Sequence, residues 1–98
     1  MPVLSAKQKR YLRGLAHDRK VIVQMGTAGL TGAVLAEIEV ALEVHELLKV
    51  RVIANDRDDR KKMIAEICEK YQAVMIQRVG HVATIYRRNE AEPKIVLP

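Results

Sequence analysis

The spacing of apolar residues changes repeatedly along the chain, and each change marks the edge of an element. After Ser5, a good helix N-cap, Gln8, Leu12, Leu15 and Ala16 fall on one stripe and predict a first helix over roughly 5–16. Val21 to Met25 is almost unbroken apolar sequence closed by Gly26, the pattern of a buried, central strand. A glycine-containing loop follows. Val34, Leu35, Ile38, Ala41 and Leu42 then resume helical spacing to about His45, with Thr31 as cap and Glu37, Glu39 and Glu43 on the wet side. Leu48, Val50 and Val52 alternate with Lys49 and Arg51, as in a strand with one face in the core and a basic face in water. Asp56, Asp58 and Asp59 offer caps for a third helix, whose apolar set is Met63, Ile64, Ile67, Cys68 and Tyr71. Ala73–Val79 and Val82–Arg87 are β-rich runs joined by Gly80 and His81, a pair suited to a type II′ hairpin. Asn89 to Pro93 is a polar linker, and Lys94 to Leu97 is a further candidate for extended chain.

The order α-β-α-β-α-β-β predicts right-handed parallel crossovers followed by an antiparallel pair, hence a mixed four-stranded sheet. With the second and third helices on one face, the other is left partly open and carries Lys49 and Arg51, which favours an α+β two-layer fold. The 98 residues make one domain, 1–98. Trp and Phe are absent and three tyrosines are the only aromatic residues, so the core must be aliphatic.

Charge adds a direction to this scaffold. The net charge is +5, which leans toward polyanionic partners. Its placement says more: Lys7, Lys9, Arg10, Arg13, Arg19 and Lys20 face a single anion, Asp18, before residue 21, whereas 21–48 holds four Glu and no cation. Lys7, Lys9 and Arg10 sit in the first turns of the first helix, where the helix dipole disfavours positive charge, and an external anion would relieve that conflict. One cysteine, Cys68, cannot form an internal disulfide, and no apolar run reaches the roughly 18 residues of a membrane span, so a cytoplasmic protein is expected.

Among the motifs, Gly26-Thr27-Ala28-Gly29 stands out by its position between the first strand and the second helix. Backbone N–H groups of such a turn, next to a helix N-terminus, can hold a phosphate, in the manner of the GXXG clamp of KH domains. The same glycines also suit a plain strand-to-helix turn. A nucleotide-hydrolysing P-loop would need a lysine that this stretch lacks, and Gly26, Gly29 and Gly32 do not have the dinucleotide spacing. Cys68, His17, His45 and His81 share no ligand spacing, and no hydrolase motif occurs; neither an enzyme, a metal site nor a cofactor is expected. Tyr11, among Lys7, Arg10 and Arg13, suits either stacking on an unpaired base or partial burial.

Leu15-Ala16-His17, the run from Val21 to Thr31, Ala41-Leu42, the run from His45 to Val50, Ile85-Tyr86-Arg87 and the closing Lys94 to Pro98 together resemble the bacterial YhbY family. These are stand-alone CRM domains, named for chloroplast RNA splicing and ribosome maturation. The resemblance implies a fold like the carboxy-terminal domain of translation initiation factor 3, a GXXG loop at Gly26, Thr27, Ala28 and Gly29, and a role on precursors of the large ribosomal subunit. Many relatives carry a basic residue where Thr27 stands and a proline where Lys20 stands, so backbone donors and neighbouring cations would have to hold the phosphate here. The expected RNA-binding set is therefore the loop together with Lys7, Lys9, Arg10, Arg13, Lys20, Lys49 and Arg51. The expected partner is ribosomal RNA, bound by a monomer and without a membrane. The alternatives are a general nucleic-acid binder, DNA included, and a protein-interaction module using the acidic face of the second helix.

Overall fold

Each helix begins on the side chain expected to cap it. In this computed structural model, which describes residues 3–25, 29–54 and 56–98, Ser5 Oγ accepts from the Gln8 N–H at 3.1 Å while Gln8 Oε1 accepts from the Ser5 N–H at 3.0 Å. This capping box starts α1 (Ala6–His17). Thr31 Oγ1 accepts from Val34 N at 3.2 Å to start α2 (Gly32–His45). Asp56 Oδ1 accepts from Asp59 N at 2.8 Å to start α3 (Arg57–Tyr71), whose first turn carries Asp58 and Asp59 where the dipole favours them.

The strands are β1 (Val21–Gln24), β2 (Leu47–Arg51), β3 (Val74–Val79) and β4 (Val82–Tyr86), in the spatial order β1-β2-β4-β3. β1 and β2 are parallel and the other pairs antiparallel. Gly80 takes the positive φ, 59°, that the first position of a II′ turn requires. Three helices on a mixed four-stranded sheet, in the expected chain order, make this an α+β domain.

Two strands are placed differently from the sequence reading. β1 lies at an edge, bonded only to β2, and Ile22 is 43% exposed. Its apolar run instead reflects Val23 and Met25 buried in the core beneath α2 and α3, with Val21 half-buried. The central strands are β2 and β4. β2 is also covered on both sides at its start, because Leu48 faces the α2–α3 core and Leu47 the opposite cluster. Simple alternation misses this, since the second cover comes from a distant helix.

That helix is α1. Its Leu12 and Ala16 pack with Leu47, Ile76 and Tyr86 to form a second core, flanked by Leu4, Leu15, Val74, Ile95 and Leu97. The sheet face expected to be partly open is half covered by α1. The candidate strand at 94–97 forms no ladder; it is a coil that closes this second core, and Gln8 Nε2 of α1 donates to Pro98 O at 3.2 Å.

One residue organises this side of the molecule. Glu46, fully buried between α2 and β2, has φ 61° and ψ −48°, a conformation that costs a non-glycine residue of order 1–3 kcal/mol. Its carboxylate accepts from three backbone N–H groups: Asn89 (2.7 Å) on Oε2, and Lys94 (2.8 Å) and Ile95 (2.7 Å) on Oε1. Removing the carboxylate leaves these donors unpaired or releases the tail to water. Glu46→Ala should therefore lower unfolding free energy by about 2–4 kcal/mol, measured by urea denaturation. Amide exchange at Asn89, Lys94 and Ile95 should accelerate. Glu46→Gly, which relieves the positive φ while losing the same bonds, should be the less harmful of the two.

Candidate nucleic-acid interface

The half of the second sheet face that α1 leaves uncovered mixes two cations with polar and apolar side chains. Val21, Lys49, Thr84 and Gln77 pair in one row across all four strands. They line an open cleft of about 400 Å³ together with Val79, Val82, His17 at the end of α1, and Arg19. Lys49 Nζ donates to Arg19 O at 3.0 Å, and Arg19 Nη1 donates to Leu47 O at 3.1 Å and to His45 O at 3.3 Å. These bonds hold both cations at the cleft without cancelling their charge, because every acceptor is a neutral carbonyl.

Arg51 is exposed at the exit of β2, level with Gln24, and its carbonyl accepts from Met25 N at 2.9 Å. It therefore stands where β1 leads into the glycine loop. Of that loop, Gly26, Thr27 and Ala28 lie outside the described residues. Gly29 is buried with φ 76°, and its carbonyl accepts from Thr31 N at 3.0 Å, one residue before α2.

The helix cations form a separate group. Lys7, Arg10 and Arg13 are exposed, Lys9 is half-buried, and Tyr11 is 42% exposed among them. Ten residues of helical rise, about 15 Å, separate Lys7 from His17, so the first turns of α1 stand well away from the cleft. Lys20, exposed, borders a second cleft of about 340 Å³ with Ile22, Val44, His45, Lys94 and Ile95. His17, Arg19 and Lys94 join the candidate surface only in three dimensions. Arg19 is visible in the sequence as part of the amino-terminal charge run, but nothing there shows it bonded to the start of β2.

The ion pairs of the described residues are Arg87 with Glu39 and Glu43, Arg88 with Glu90, and Lys94 with Glu92. None of these pairs takes Lys7, Lys9, Arg10, Arg13, Lys20, Lys49 or Arg51. The paired anions thus lie on α2 and the tail, and the cations of α1 and the β1–β2 side remain unneutralised among the described residues. Among those residues, too, no group of three His, Cys, Asp or Glu could hold a metal ion, and no helix is long and apolar enough to cross a membrane.

The geometry defines a class: a small α+β domain with helices on both faces of a mixed sheet, whose α1 and β1–β2 cations form no ion pair among the described residues. The chain belongs to the CRS1/YhbY (CRM) domain family, whose model matches residues 4–87. It is 47% identical over 98 residues to a Haemophilus influenzae protein named "RNA-binding protein", covering 100% of this chain and 98% of the relative. It is 31% identical over 96 residues to the Bacillus subtilis "Probable RNA-binding protein YqeI", covering 98% and 100%. The solution structure of the hypothetical protein SAV1595 from Staphylococcus aureus superposes with a TM-score of 0.82 at 38% identity, covering 98% of this chain and 100% of that one.

Gly29 yields a direct check on the loop's exit. A Cβ there would meet only the Met63 side chain, at an ordinary 3.6 Å, so the backbone conformation is the obstacle. Gly29→Ala should lower stability by about 1–2 kcal/mol, measured by thermal melting. A change within error would mean that this φ is not held in solution.

Proposed function

We propose that the protein binds RNA, and that its target is ribosomal RNA in precursors of the large subunit, which it helps to assemble without catalysing a reaction. The observation that carries this reading is the uncompensated charge: the cations of α1, Lys20, Lys49 and Arg51 have no carboxylate partner among the described residues, and the carboxylates that do form ion pairs, Glu39, Glu43, Glu90 and Glu92, pair with other cations. Family membership supports it, since relatives along the whole chain carry RNA-binding names. Work on ribosomal precursors would place the protein in the cytoplasm.

In this reading the glycine loop, Gly26, Thr27, Ala28 and Gly29, holds a backbone phosphate through N–H donors near the start of α2. Lys49 and Arg51 follow the strand from the sheet cleft, and Lys20 continues the surface around the β1 edge. Lys7, Lys9, Arg10 and Arg13 then meet a second part of the same RNA. The protein acts as a single copy. Specificity for RNA over DNA comes from the shape and 2′-hydroxyls of the ligand.

Binding titrations over a range of salt test this with large-subunit ribosomal RNA and duplex DNA as competing ligands. Replacing Lys9, Arg10 and Arg13 by Ala should weaken RNA binding and flatten the log–log salt slope by roughly 0.7–0.9 for each phosphate no longer neutralised, with little change in melting temperature. Equal affinity for duplex DNA would favour a general nucleic-acid binder. A flat salt response would overturn the electrostatic model.

The loop has its own test. Thr27→Asp with Ala28→Asp keeps both glycines and puts two carboxylates where the phosphate is expected. Like charges a few ångströms apart repel by about 1 kcal/mol even in water, and aspartates can also take the helix-terminal N–H groups for themselves. RNA affinity should fall at least several-fold with circular dichroism unchanged. Undiminished binding would reduce the glycines to turn formers.

A further inference from the structure

The opposite edge of the sheet has a feature that RNA binding does not use. β3 is bonded to β4 alone, so the row of N–H and C=O groups on its outer side has no strand partner among the described residues. Beside it, α3 and β3 enclose a groove of about 430 Å³. Its floor is apolar: Ile64, Cys68 and Ala73 are buried there, and Met75 stands at the lip, 46% exposed.

The groove is polarised. α3 ends at Tyr71 and the chain turns back through Gln72 into β3, so the start of the helix lies against the end of the strand. Arg57 and Lys61 therefore meet Arg78 at one end, and the apolar floor occupies the other. Positions 57, 61, 64, 65 and 68 share one helical face, and neither Asp58 nor Asp59 lines the groove. A bulge between Met75 and Gln77 brings Met75 and Arg78 to the same side of β3, while Gln77 lines the sheet cleft on the other. One N–H of Arg78 is used on Gly80 O at 2.9 Å. None of the three cations forms an ion pair among the described residues.

We propose that this groove binds an extended, acidic and apolar segment of a partner protein, which adds as a strand to β3. An edge strand with open backbone groups beside a helix is the setting in which peptides bind by strand addition, with main-chain bonds supplying affinity and side-chain pockets supplying specificity. The apolar floor takes alternate side chains of the segment, and the cationic end takes its carboxylates. Met75 adapts to the side chain it meets, as exposed methionines at recognition surfaces do. RNA fits the same groove less well. The groove's apolar floor of Ile64, Cys68, Ala73 and Met75 offers a phosphate no donor. β2 and β4 also lie between this edge and β1.

Cys68, the only cysteine of the chain, lies in the floor and reports occupancy. The experiment selects a displayed library of random dodecapeptides on the intact protein, with counter-selection on a folded Ala65→Glu, Met75→Asp variant that obstructs the groove. Enriched peptides should be acidic with alternating apolar residues. Added as synthetic peptides, they should slow labelling of Cys68 by a disulfide reagent at least five-fold, and Arg57→Glu with Arg78→Glu should abolish that protection while circular dichroism is retained. No enrichment over the variant would overturn the proposal, as would enriched peptides that are basic. Protection of Cys68 by an RNA oligonucleotide in place of peptide would make the groove a nucleic-acid surface instead.

Discussion

The arrangement of the second sheet face depends on one buried carboxylate. Glu46 sits where α2 gives way to the central strand β2, and its N–H closes the helix on Leu42 O at 2.9 Å while its carbonyl accepts from Arg87 N at 2.9 Å. The same residue binds the backbone of Asn89, Lys94 and Ile95 through its side chain. A helix end, the start of a central strand, the exit of β4 and the carboxy-terminal coil thus converge on one side chain. A backbone strained at positive φ persists only where its surroundings over-determine it, and hydrogen bonds from the helix, the end of β4 and the tail do so here. Without them the tail would lose its course along α1, and Ile95 and Leu97 would leave the second core.

The anchored tail also decides where positive charge is left over. Arg87, leaving β4, forks onto Glu39 and Glu43 of α2 at 2.9 Å each, and Asn89 Nδ2 donates to Glu43 O at 3.0 Å. The acidic face of α2 is therefore occupied by its own chain, which weakens the case for that face as a protein-docking surface. Two of the α2 carboxylates are paired this way, while α1 lies on the opposite face of the sheet and its cations form no ion pair among the described residues. Exposed ion pairs contribute little to stability, but here they set the distribution of charge over the surface.

The local signals are the legible part of the sequence. Ser5, Thr31 and Asp56 are readable as caps and Gly80 as a hairpin residue, because each acts within three or four residues of itself. What escapes is long-range. Val21 to Met25 reads as a central strand, since an apolar run at an edge between two partial covers has the same composition as one buried in the middle of a sheet. The burial of Leu47 under α1, and the coil at 94–97 held by Glu46, depend on partners more than thirty residues away. Of the candidate site, the cations can be named from their clustering, yet their division into a helix group and a sheet-cleft group requires the direction in which α1 crosses the sheet.

That division bears on how such a domain can recognise RNA at all. Tyr86, the tyrosine of the second sheet face, is buried beneath α1. A sheet of this kind cannot work as an aromatic stacking platform. Its available contacts are ammonium and guanidinium groups and backbone N–H groups, all of which favour phosphate. Phosphate contacts specify through geometry: a helix group and a sheet-cleft group of cations, fixed relative to each other, favour a polyanion whose charges fall at matching positions. The packing of Leu12 and Ala16 on Leu47, Ile76 and Tyr86 fixes α1 against the sheet, so it sets the spacing of these cations as well as contributing to stability.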